Sequence, residues 1–144
     1  MKKIWMIILS VVILVFIWGQ SAIPTAQSAK ESGWLTNHII NPILQFIGLE
    51  SVRDHVVRKA AHITEFFVFS AVVAQLWKGR PLGTLFTGLL VAFLDESIQI
   101  LSHRGAQVSD VWIDLIGVVL GTLVGCLVWW LNKRIRRRKM GAGS

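Results

Sequence analysis

Ten polar residues stand beside or within stretches that are otherwise strongly apolar, and their types suggest chemistry. "RKAAHITEFF" carries Arg58, Lys59, His62 and Glu65, and "LDESIQ" carries Asp95, Glu96 and Gln99. Arg104 follows in "SHRG", and "SDVWID" adds Asp110 and Asp114. A histidine can move protons near neutral pH, so His62, with Glu65, Asp95 and Glu96, forms the candidate catalytic set. Asp95, Glu96, Asp110 and Asp114 offer only oxygen ligands, which suits a divalent cation such as Mg²⁺, Mn²⁺ or Ca²⁺. Arg58, Lys59 and Arg104 suit a phosphate or carboxylate, with Arg able to bind in bidentate fashion. Gln99, Asp110 and Asp114 complete the candidate substrate contacts.

Helical spacing sorts these residues into faces, because positions three or four apart are neighbours on a helix. Arg58 and Lys59 stack over His62, and His62 over Glu65. Asp95 stacks under Gln99. Asp110 and Asp114 share a face, continued by Gly117 and Gly121, which allow a neighbouring helix to come close.

The elements that position them are membrane helices. Of 144 residues, 53% are hydrophobic and 16% charged, and the mean hydropathy is +0.60. A soluble domain carries more charge. Seven Trp and no Tyr suit the membrane–water boundary. Cys126 is the only cysteine, which excludes an internal disulfide and a cysteine-based metal site. A span needs about 20 apolar residues, and four segments approach this: residues 4–20, 60–77, 82–101 and 111–131. The first also has the basic start, apolar middle and small-residue end of a signal peptide; a retained helix is the expectation.

Residues 31–57 form an interfacial segment with one or two short amphipathic helices. Asn41 before Pro42 marks a helix start and Gly48 an end. Ser51 caps a long helix running from Val52 to Trp77, with Asp54 favouring its positive end. "KGRP" turns that helix tightly into the next. The predicted fold is therefore all-α: a polytopic four-helix transmembrane bundle forming one domain over residues 1–140. Residues 141–144 read as a cloning remnant.

The net charge is +7, but the basic residues flank apolar runs and lack the aromatic interleaving of a nucleic-acid site, so no nucleic-acid partner is expected. With the N-terminus inside, Lys2, Lys3, Lys78, Arg80, Lys133, Arg134, Arg136, Arg137, Arg138 and Lys139 are cytoplasmic. Lys30, Arg53, Arg58, Lys59 and Arg104 lie outside, so the charge bias predicts both termini in the cytoplasm. "RIRRRK" then reads as an anchor against anionic lipid. In this orientation the polar residues of three spans share the outer leaflet. Asp95 lies about 9 Å along the axis from Leu101. A charge facing lipid there is unfavourable, so these groups should face each other.

"RKAAHITEFF" resembles the Arg-Lys-x-x-His-x-x-Glu segment of the VanZ-like family of small bacterial membrane proteins. "LDESIQILSHRGAQVSDVWIDLIGVVLG" resembles its Asp-Glu-x-x-Gln, Arg, Asp-x-x-x-Asp and glycine-spaced segment, and "GQSAIPTAQSAKESG" is loosely similar to the stretch after its first helix. The likeness spans about residues 18–125. It implies a multi-pass protein of the bacterial cytoplasmic membrane, associated with resistance to teicoplanin, a glycopeptide antibiotic directed at cell-envelope precursors. It supplies no reaction, and carries the ten residues above over as site candidates.

Two functions compete on these grounds. In the first, the polar site binds, and can chemically modify, a polyprenyl-phosphate or other lipid-linked wall component, with a cation bridging to the phosphate. In the second, the protein is a non-catalytic binding or accessory protein whose polar cluster is a helix-packing network. Ten polar groups at one depth exceed what helix packing needs, since interhelical polar contacts contribute only about 0.6 kcal/mol each. A proton-coupled transporter fits less well, because no polar path continues through the inner halves of the spans.

Overall fold

A computed structural model of the chain describes residues 2–23, 30, 32–102 and 108–141. The described residues are helical and contain no strand. Helix α1 is Lys2–Ser21. A π-helical turn, Thr36–Ile40, runs directly into the short α2, Asn41–Phe46. Three long helices follow: α3 (Asp54–Leu76), α4 (Pro81–Leu101) and α5 (Val108–Gly141).

The local sequence accounts for most of the boundaries. Gly48, at φ 79°, ends α2: the Leu49 amide donates to the Leu44 carbonyl at 2.8 Å, closing the last turn through a left-handed residue. Pro42 sits in the first turn of α2 but does not start a new helix, since the chain before it is already helical. Ser51 does not cap α3. That helix begins at Asp54, three residues later, after Arg53 in an extended conformation. The residues before it are held instead by Asn41, whose Oδ1 accepts from the Val52 amide at 2.8 Å and whose Nδ2 donates to the Val52 carbonyl at 3.3 Å. Pro81 opens α4, where the missing amide hydrogen costs nothing.

Among the described residues, three helices are long and apolar enough to cross a membrane: Lys3–Ser21, Pro81–Leu101 and Asp110–Met140. Helix α3 has the length, 23 residues, but Lys59, His62 and Glu65 interrupt its apolar run. Large apolar side chains lie exposed along α1, α4 and α5, among them Val15, Phe86, Phe93, Leu123 and Leu127. In water such a surface would be unfavourable; against lipid tails it costs nothing.

The helix ends define the packing. The Ser102 hydroxyl donates to the Ser21 carbonyl at 3.1 Å, so α1 and α4 run in the same direction. Lys78 and Gly79, both in left-handed conformations, reverse the chain between α3 and α4, which are therefore antiparallel. Ile17, Phe66, Phe69, Val73, Val91, Ala92 and Val118 form the core.

The tightest contact is between α3 and α5, which run parallel. A Cβ on Gly117 would collide with the Ile63 carbonyl, one on Gly121 with the Phe67 carbonyl, and one on Gly125 would fall 2.7 Å from the Ala71 carbonyl. Three glycines spaced by four thus lie against three α3 residues spaced by four, so the two backbones touch along a shared stripe. Gln75 adds a polar tie, donating from Nε2 to the Gly125 carbonyl at 2.7 Å. Gln75→Leu removes one interhelical hydrogen bond of about 0.6 kcal/mol. The expected outcome is a fall of roughly 2 °C in the melting temperature of the detergent-solubilised protein.

Candidate functional site

The acidic residues of α4 and α5 are buried because the helices turn them inward. On α4, Gly88, Val91, Ala92, Asp95, Glu96 and Gln99 form one buried stripe, while Phe93, Leu94, Ile100 and Leu101 are exposed. Asp95 is 0% exposed and Asp114 2%, and Glu96 and Gln99 are also buried. His62 and Glu65 on α3 and Asp110 on α5 are half-buried. The glycine stripe sets their separation: Gly117 lies against Ile63, and close to that contact His62 Nδ1 stands 3.6 Å from Asp114 Oδ1.

The centre of the cluster is Asp95. Its Oδ2 accepts from Gln99 Nε2 at 2.7 Å, and Gln99 Nε2 also lies 3.3 Å from Ser21 Oγ on α1. Asp95 Oδ1 and Glu96 Oε2 are buried and have no hydrogen-bond partner among the described residues. Nor does either acid form an ion pair among those residues. Such oxygens are costly to bury without a compensating group. Asp95, Asp110, Glu96 and Glu65 all lie within electrostatic reach of Asp114. The carboxylates of three helices therefore share one region.

The ligand geometry differs from an all-oxygen set. One atom each from His62, Asp95 and Asp114 lie within 4.8 Å of one another. Ligands about 2.1 Å from a common ion stand up to roughly 4.2 Å apart, so only a small closure separates this triad from coordination. A histidine with two carboxylates favours Mn²⁺ or Zn²⁺ more than Mg²⁺ or Ca²⁺. Glu96 and Asp110 belong to the surrounding acidic wall rather than to the triad.

The basic candidates are arranged differently. Arg58 Nε lies 3.7 Å from Asp54 Oδ2 on its own helix, and Lys59 is exposed at the rim. Arg104 lies outside the described residues. Two contributors were missed by sequence reasoning. Ser21 is fully buried and joins α1 to Gln99 and Ser102, although 78 residues separate it from Gln99. The only local signal was a polar residue at the end of the first apolar run. Ser102 gave none beyond lying in the connecting loop.

Residues 6–130 match the family model described as VanZ/LLP1. The chain belongs to the VanZ/LLP1 family. The match takes in every described candidate from Arg58 to Asp114, so the clustered acids of this VanZ-like membrane protein lie within the family's own domain. No curated protein and no solved structure matches it.

Proposed function

We propose that this VanZ/LLP1 protein binds a divalent cation at its acidic end and, through it, the phosphate of a lipid-linked cell-wall precursor in the outer leaflet. On this reading all four long helices cross the bacterial cytoplasmic membrane with both termini inside, α3 as the one polar span. Its charged groups face the bundle, where they cost least. The carrying observation is Asp95: fully buried, with Oδ1 lacking a described partner, in a triad with His62 and Asp114. A cation would compensate the carboxylates and leave positions open for phosphate oxygens. Arg58 and Lys59, near the entrance, would contact the remaining phosphate charge. His62, still reachable from outside, would be the proton carrier if the bound phosphate is transformed. Association with teicoplanin resistance fits a site that handles the precursors such antibiotics target.

The rival reading, a helix-packing network, draws on the Ser21–Gln99–Asp95 hydrogen bonds. Native mass spectrometry of the purified protein separates the two. The wild type should retain a divalent ion and a phosphate-bearing lipid, and Asp95→Asn should lose both while keeping its expression and the melting temperature of the ion-free wild type. In a teicoplanin-challenged host, Asp95→Asn and His62→Ala should abolish any protection. Loss of protection only in step with loss of expression would mean a packing network.

A further inference from the structure

The opposite end of the bundle carries a second feature, of opposite charge. A cavity of about 500 Å³ opens between the start of α1, the end of α3 and the last turns of α5. That volume is within the range of ligand pockets, roughly 300–1,000 Å³. Its charged lining residues are Lys3, Lys78, Lys133, Arg136 and Arg137, with no carboxylate among them. None of the five forms an ion pair among the described residues.

The cations come from three elements that packing holds in place. A Cβ on Gly79 would fall 2.6 Å from the Trp129 ring, so the turn carrying Lys78 rests directly on that indole. Lys133 Nζ lies 4.7 Å from the centroid of the same ring, a cation–π contact. The tryptophan thus fixes the α3–α4 turn and the Lys133 ammonium against each other. A tail that merely lay on the membrane would need none of this. Met6 and Leu76 give the cavity an apolar wall continuous with the lipid-facing helices.

We propose that this cavity is a binding site for a membrane lipid bearing two phosphate groups. The five cations hold its headgroup, and its acyl chains leave along the wall of Met6 and Leu76. Five cations without an ion pair among the described residues exceed what one singly charged phosphodiester requires, whereas two phosphates match them better. Basic pockets between helices at the membrane surface bind such headgroups. The apolar wall favours a lipid over a soluble phosphate.

Native mass spectrometry of the full chain in mild detergent tests this, with cardiolipin, phosphatidylcholine and inorganic pyrophosphate as probes. Cardiolipin should bind in preference to phosphatidylcholine. Arg136→Gln with Arg137→Gln should weaken it roughly tenfold. Arg134→Gln with Arg138→Gln removes the same charge outside the cavity and should change it by less than about twofold. Lys3→Gln with Lys78→Gln, on other elements, should repeat the tenfold loss, which guards against damage confined to α5. Equal losses in both arginine pairs would reduce the effect to surface charge and overturn the site. Absence of any cardiolipin preference, or pyrophosphate binding as well as the lipid, would overturn it too.

Discussion

Gly121→Leu should leave little folded protein. A Cβ at this position already collides with the Phe67 carbonyl, and a leucine adds three further carbons. Overpacking usually costs about 1–3 kcal/mol because side chains can rotate away. Here the obstacle is main chain, which cannot. Nor can α5 tilt to relieve the clash, because Gly117 and Gly125 on the same face are held against Ile63 and Ala71. The α3–α5 stripe must separate, and the core around Phe66 and Val118 opens with it. The expected cost exceeds about 3 kcal/mol, a large part of a typical total of about 5–15 kcal/mol. The measurement is size-exclusion profile and melting temperature in detergent. Gly19→Leu is the control, since nothing lies within 4 Å of a Cβ there, and it should behave as the wild type. If Gly121→Leu melted like that control, the parallel α3–α5 contact would be wrong.

The glycine stripe also shows what could be read in advance and what could not. Its four-residue spacing was visible at Gly117 and Gly121, and it signalled a close helix neighbour; Gly125 extends the stripe in the structure. The neighbour's identity was not visible, because nothing in "HITEFFVFSA" advertises that the backbone at Ile63, Phe67 and Ala71 is the receiving surface. Likewise the long apolar runs gave α1, α4 and α5 directly. Helix α3 was legible as a helix from its periodicity, but its polar residues place it outside the composition of an ordinary span. Its start was misplaced by two residues, at Val52 instead of Asp54. Ser51 has the chemistry of a cap, yet the chain there is held by Asn41, 11 residues upstream of Val52, a contact no local pattern encodes.

Within the site, residue type was legible and partnership was not. Asp95 and Glu96 are adjacent, about 100° apart around a helix, so spacing alone could not bring both inside. Both are buried because α4 is covered on two sides: α1 reaches Gln99 through Ser21, and α5 brings Asp110 and Asp114. Among the described residues, the group close enough to share an ion keeps Asp95 and Asp114 of the four acids expected, and has His62 where Glu96 and Asp110 were expected. That choice depends on how α3 is rotated against α5. The glycines determine it, since Gly117 must face the Ile63 carbonyl and so bring Asp114 to the neighbouring His62.

Divalent ions should therefore stabilise the wild type, and Asp114→Asn should erase the effect. An ion at 100 times its dissociation constant contributes about 2.7 kcal/mol to the folded state, or roughly 5–10 °C in a chain of this length. Mn²⁺ and Zn²⁺ should produce it at lower concentration than Mg²⁺. Asparagine keeps the shape of Asp114 and removes its charge, so the bundle should still assemble. Losing one of three ligands weakens an ion site on the order of 100-fold. The same ion concentration then yields only about 0.4 kcal/mol, a shift of about 1 °C. His62→Ala should lose the shift in the same way. Gln99→Leu removes a hydrogen bond to Asp95 but no ligand; it should lower the ion-free melting temperature while keeping most of the ion-dependent rise. Scanning fluorimetry over an ion titration measures all four proteins. A packing network makes the opposite forecast: no ion dependence in any of them, and the largest loss where hydrogen bonds to Asp95 are cut. Equal ion-dependent shifts in the wild type and Asp114→Asn would remove Asp114 from the ligand set, and with it the bridge to phosphate.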